Sequence, residues 1–247
     1  MTYPRQAAPR GGVRTWWGKA WQRAVEEAAY SETELKGGRT AARRGEVGGI
    51  SVDAGALLAA VRDGDDAWTV SVEVPVLDAD AARGLVEVVA AESGRIASLL
   101  AGDLPHDLVE HAEEVGVELL PYGGELAASC ACPHYLDPCP HAIAVLVQVG
   151  WLVDGDPLVL FALRGLDREA LLAALHARAS QDGAGGAGGG SGAGSGAGGG
   201  AGGDAGGDRV ADLADDVEVA ADAVLRARRL IELLDAGPDS DLPDSLL

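Results

Sequence analysis

Aromatic residues are scarce in this 247-residue chain: they make up 4% of it, with a single Phe, and there is also only one Met. Lysine is nearly missing too, present only at Lys19 and Lys36, with arginine carrying the remaining positive charge. The 47% hydrophobic share therefore rests on alanine and aliphatic residues. No apolar run is long. The longest, Ala142–Val153, is interrupted by Gln148, whereas about 20 residues are needed to span a bilayer. The opening Met1-Thr2-Tyr3-Pro4-Arg5 lacks a hydrophobic signal region, so a cytoplasmic location is expected. There is no phosphate loop, dinucleotide fingerprint or nucleophile elbow, and adjacent acids such as Glu26-Glu27 and Asp65-Asp66 read as solvated charges. The expectation is a protein that is not an enzyme.

Positive charge is also in short supply. The net charge is −20, but unevenly spread: residues 1–50 hold 9 Lys and Arg against 5 Asp and Glu. A field of that overall sign repels nucleic acid and anionic membranes, and no membrane association is expected. Any phosphate contact falls to the N-terminal segment, with Lys36, Arg39, Arg43 and Arg44 as candidates for touching nucleic acid or a partner and Trp16 or Trp17 near a base. Trp17 and Trp21, spaced on one helical face, read first as core.

The pattern of the chain predicts an α+β fold, a small sheet with several helices. A helix is expected over Trp16–Tyr30, then a basic, turn-rich segment over Lys36–Gly45. Strands are expected at Val47–Val52 and Trp68–Val74, the latter from alternation of Trp68, Val70, Val72 and Val74 with polar residues. Helices follow near Ala81–Glu92, where Asp78 or Asp80 supplies a cap, Ile96–Ala101 and Asp107–Val115. A strand at Glu125–Ser129 leads to a helix from Pro140, and a last helix, Asp167–Ala179, closes the domain. The divisions are a flexible N-terminus at 1–13, the domain at 14–180, a Gly/Ala/Ser-rich disordered linker at 181–207, an amphipathic helix at 208–237 and a tail at 238–247. The linker composition cannot bury enough apolar surface to order itself. In the C-terminal helix, Val210, Leu213, Val217, Ala220, Val224, Ala227, Ile231 and Leu234 form a heptad seam, which fits docking to a partner or a homodimer.

All three cysteines lie within ten residues, as Cys130-Ala131-Cys132, then Cys139-Pro140-His141. Three is an odd number for disulfides and a natural one for metal ligation. In an extended segment residues i and i+2 point the same way, so Cys130 and Cys132 present both sulfurs to one ion. Pro140 suits the first position of a helix, which places His141 on its first turn beside Cys139. Three thiolates and one imidazole make a closed, tetrahedral site for one structural Zn²⁺, with no open position for catalysis. His134 is an alternative fourth ligand. His106, His111 and His176 read as surface residues.

This arrangement resembles the SWIM zinc finger. The Trp16-Trp17-Gly18-Lys19-Ala20-Trp21 start, the arginine segment Gly38–Val47, Leu136-Asp137-Pro138-Cys139-Pro140-His141, and the Asp156–Gly165 stretch are similar to bacterial members, over roughly residues 14–166. The resemblance implies zinc ligation by Cys130, Cys132, Cys139 and His141, a role in DNA binding or protein–protein contact, and association with Swi/Snf-type helicases. Many members carry a basic residue where this chain has Pro140. The expectation is thus a zinc-binding protein–protein adaptor in a DNA-associated assembly, with direct nucleic-acid binding as the alternative.

Overall fold

The computed structural model describes residues 1–185. The expected helix at 208–237 and tail at 238–247 lie outside them, as does most of the expected linker. Among the described residues a five-stranded antiparallel sheet runs in the order β1 (Thr2–Tyr3), β2 (Val47–Asp53), β3 (Ala56–Asp63), β4 (Asp66–Glu73), β5 (Ala127–Cys130). Eight helices accompany it: α1 (Trp16–Ala28), α2 (Glu32–Arg44), α3 (Ala79–Ala90), α4 (Ser93–Leu100), α5 (His106–Glu114), α6 (Pro140–Gly155), α7 (Leu158–Leu163) and α8 (Arg168–Gly185). This is the expected α+β class. No helix of the described residues is long and apolar enough to cross a membrane.

Two hairpins build the centre of the sheet. The loops Ala54-Gly55 and Gly64-Asp65 are two residues long, and Gly55 (φ 70°) and Gly64 (φ 62°) supply the left-handed conformations such tight turns demand. In β2 the buried residues are Val47, Ile50 and Val52, a spacing that breaks strict alternation. A bulge explains it: Val47 pairs with Val61 and Ile50 with Ala59, so β2 carries one residue more than β3 between the two pairs. All three side chains thereby share the inner face with Leu57, Ala59, Val61, Val70 and Val72.

The inner face of the sheet packs on α6, and α1 and α2 pack on α6 as well. The helix is consequently buried nearly all round, from Ala142 to Leu146 and again at Gln148, Val149, Gly150, Leu152 and Val153. Two buried tryptophans of α1 spend their polar ends on it. Trp17 Nε1 donates to the Val153 carbonyl at 2.8 Å and Trp21 Nε1 to that of Leu146 at 2.9 Å, so each ring is buried without an orphaned donor. Gly150 makes room, since a Cβ there would stand 2.8 Å from Trp21 Cδ1.

Three expectations need correction. The segment Lys36–Gly45 is not a turn-rich loop but most of α2. Ser31 caps its start, Glu32 and Glu34 occupy the first turn, Arg43 and Arg44 the last, and Gly45 closes it in the left-handed conformation (φ 70°). Gly37-Gly38, which read as a breaker, lies inside the helix, where Gly38 allows α2 to close on Ile143 of α6. The N-terminus at 1–13 is not loose. Thr2 and Tyr3 pair with Ser51 and Ile50, Gln6 N donates to Gln148 Oε1 at 3.3 Å, and just beyond, the Arg14 and Thr15 amides donate to Asp154. Finally, α8 runs to Gly185 and so overlaps the start of the segment 181–207 assigned to the linker.

Candidate metal centre and the groove beside it

Each ligand is placed by a different piece of backbone. Cys130 ends β5 opposite Val70 of β4, and the Ala131 amide extends the pairing by donating to the Thr69 carbonyl. Extended backbone therefore turns Cys130 and Cys132 to one side while Ala131 stays exposed. Residues 133–138 bring the chain back. Cys139 is the extended N-cap residue of α6 (φ −75°, ψ 170°), Pro140 takes the first helical position, and His141 follows on the first turn.

The sulfurs of Cys130, Cys132 and Cys139 and a ring nitrogen of His141 all lie within 4.8 Å of one another. Cys132 Sγ is 3.7 Å from Cys139 Sγ, and Cys130 Sγ is 3.9 Å from His141 Nδ1. The other ring nitrogen, Nε2, is 3.4 Å from Asp63 Oδ2, at the tip of the β3–β4 hairpin. The cluster is poorly solvated: Cys139 is 1% exposed and Cys132 9%. Burial pushes the Cys130 thiol up to about 12 and raises that of Cys139, with the Cys132 sulfur adding to both. Three thiolates are stable in this space only around a cation.

His134, the alternative fourth ligand, is outside the cluster. It is exposed, accepts from the Leu136 amide at 3.2 Å, and stacks on Tyr135 with ring centroids 5.4 Å apart. His106 and His111 also lie away from it. His106 rests against Trp16, and His111 Nδ1 meets Arg95 Nη2 at 2.7 Å.

The structure brings the four basic candidates to the metal centre's flank. Lys36, Arg39, Arg43 and Arg44 line an open groove of about 1110 Å³ that also touches His134, Asp63 and His141. Lys36, Arg43 and Arg44 are exposed; Arg39 is half-buried and ion-paired with Glu26. Three acids, Glu32, Glu46 and Asp63, line the same groove. Of the tryptophans considered as base platforms, Trp17 is buried, and Trp16 donates its N–H to the Leu104 carbonyl at 3.0 Å. Two contributors were missed in the sequence. Asp63 reaches His141 only through the register of β3, and Tyr135, 89% exposed and stacked on His134, had no signal beyond its place between the cysteines.

Comparison with known proteins agrees with this geometry. The family model described as "SWIM zinc finger" matches residues 114–150. The chain is 32% identical over 198 residues to Uncharacterized protein Rv2102 of Mycobacterium tuberculosis, an alignment covering 74% of this chain and 70% of that protein. No solved structure matches. The strand, loop and helix that carry three cysteines and a histidine define a SWIM-type finger set into a larger α+β domain. The chain belongs to the bacterial SWIM zinc-finger proteins.

Proposed function

We infer that this chain is a zinc-braced, non-catalytic interaction module that acts as a protein–protein adaptor in a DNA-associated assembly, alongside a Swi/Snf-type helicase. The observation that carries it is the completeness of the Cys130, Cys132, Cys139, His141 set, four donors in one small volume with no position left for a substrate. Zinc fits the donors. Around a tetrahedral ion with Zn–S bonds of about 2.3 Å, sulfurs stand roughly 3.8 Å apart, against the 3.7 Å between Cys132 and Cys139. Asp63 supports the same reading, since a ligating histidine commonly gives its second N–H to a carboxylate. Zinc would supply structural cross-linking of β5 to α6. Native mass spectrometry tests this: one zinc per chain is expected, and none in Cys132→Ser. Photo-crosslinking in cells tests the adaptor role, which fails if no protein is joined to the wild type.

A second reading, direct nucleic-acid binding, is favoured by one observation: Lys36, Arg39, Arg43 and Arg44 line one open groove together with His134, on which exposed Tyr135 stacks. Fluorescence anisotropy with single- and double-stranded DNA at low and physiological salt decides it. Binding that weakens steeply with salt supports it, and no binding at low salt removes it.

A further inference from the structure

Behind the basic row of α2 lies a second hollow. The N-terminal strap, α1, α2 and α6 surround an open-mouthed cavity of about 160 Å³, lined by Ala8, Val13, Val147 and Trp151. An apolar cavity of about 150 Å³ accommodates a benzene ring. Arg39 and Arg43 line both this cavity and the open groove, so the two spaces adjoin across them.

Most of the polar side chains around the cavity carry only donors, Gln22 alone offering an acceptor as well. The Trp21 N–H is spent on Leu146, and Arg39 is paired with Glu26. Arg43 has no ion pair or hydrogen bond among the described residues, and the same holds for the indole N–H of Trp151, which also lines the cavity. An occupant that satisfies these groups brings acceptors and negative charge beside an aromatic ring. The adjoining groove limits how much charge. Its four cations face three acids, a balance too small for a phosphate at every nucleotide and sufficient for one or two carboxylates.

We propose that this cavity is the anchor pocket for an acidic peptide segment of a partner protein, which seats one aromatic side chain against Trp151 and Val147 and pairs a neighbouring carboxylate with Arg43. The proposal rests on the adaptor reading and names the partner chemistry. Buried aromatic anchors flanked by charge pairs dominate the binding energy of such contacts.

The test uses the zinc-loaded full chain and a fluorescein-labelled heptapeptide with Phe between Asp and Glu. Saturable binding is expected. It should fall roughly 10- to 30-fold, the size of a lost anchor, when the peptide's Phe is replaced by Ala, in the charge-reversal variant Arg43→Glu, and in Ala8→Trp, which fills the cavity. Unchanged zinc content and thermal melting certify both variants as folded. No binding, binding indifferent to the peptide's Phe, or binding of oligothymidylate in preference to the peptide overturns the proposal. Partners crosslinked equally by wild type, Arg43→Glu and Ala8→Trp overturn the pocket while leaving the adaptor reading intact. A wild type that crosslinks to no protein overturns the adaptor reading itself.

Discussion

His141 is gripped from both sides: Nδ1 turns toward the three sulfurs and Nε2 toward the Asp63 carboxylate. A carboxylate in that place orients the ring so that Nδ1 faces the sulfurs. Asp63→Ala is therefore expected to leave the fold in place and weaken zinc binding roughly 10- to 100-fold, the usual cost of removing such a partner. Competition against a chromophoric chelator measures it, and an unchanged affinity would remove Asp63 from the site. The four ligands themselves could be read from the sequence because their spacing encodes local geometry, two on a strand and two at a helix start. Asp63 could not. It arrives through the β3–β4 hairpin and its pairing with β5, and one acid of the Asp63-Gly64-Asp65-Asp66 turn looks like any other turn residue. The choice between His134 and His141 was also local: only the latter sits on the helix that Pro140 starts.

At the scale of elements, α2 shows where composition misleads. Two adjacent glycines and three arginines read as a loop, yet the helix is capped at both ends and Gly38 is where α6 comes close. A Cβ at that position would lie 2.4 Å from Ile143 Cγ2 and 2.9 Å from the Pro140 carbonyl oxygen. Gly38→Ala should thus destabilise the protein by about 1–3 kcal/mol through overpacking, despite alanine's better helix propensity. Urea unfolding of the zinc-loaded protein measures the change, and a stabilised variant would contradict the close approach. β3 escaped sequence reading for the opposite reason: its Leu57-Leu58-Ala59-Ala60 run is rich in good helix formers, and only the flanking glycine turns commit it to a hairpin. The helical corner α3–α5 has its own fastening. Arg95, 4% exposed, donates to the Val88 carbonyl and to Asp107, and also meets Glu92 and His111. Bonding to Arg95 holds the Asp107 carboxyl below its ordinary 3.8. A carboxyl lowered by folding stabilises the native state above that ordinary value, and the contribution disappears as pH falls through the lowered one. Protection factors against hydrogen exchange over Ser93–Glu114, taken relative to the intrinsic rate at each pH, should accordingly fall on acidification below about pH 4, and Asp107→Asn should remove that part of the pH dependence.

At the scale of the domain formed by the described residues, the fold is organised around α6, which packs against the sheet and against α1 and α2. The general class was legible because β4 alternates cleanly and the tryptophans of α1 fall on one face. The central position of α6 was not, since an apolar run long enough for three or four turns does not say what surrounds it. Because the metal centre joins β5 to the first turn of this helix, removing zinc should loosen the core as well as the finger. Chelation is expected to lower the melting temperature by roughly 10 °C or more, as follows if the ion contributes several kcal/mol to a domain of this size. Calorimetry with and without chelator checks it, and coincident melts would reduce the site to a surface ornament.

The burial of α6 also determines whether the finger is portable. The stretch matched to the family, residues 114–150, stops before α6 ends at Gly155, and it leaves behind the tryptophans, the α2 contact and the strands that wrap that helix. Cut out as a peptide, it would present Ile143, Leu146 and Val149 to water on several faces at once. Unlike fingers that fold as free-standing cassettes, this one cannot be transplanted into another protein without the walls that house it.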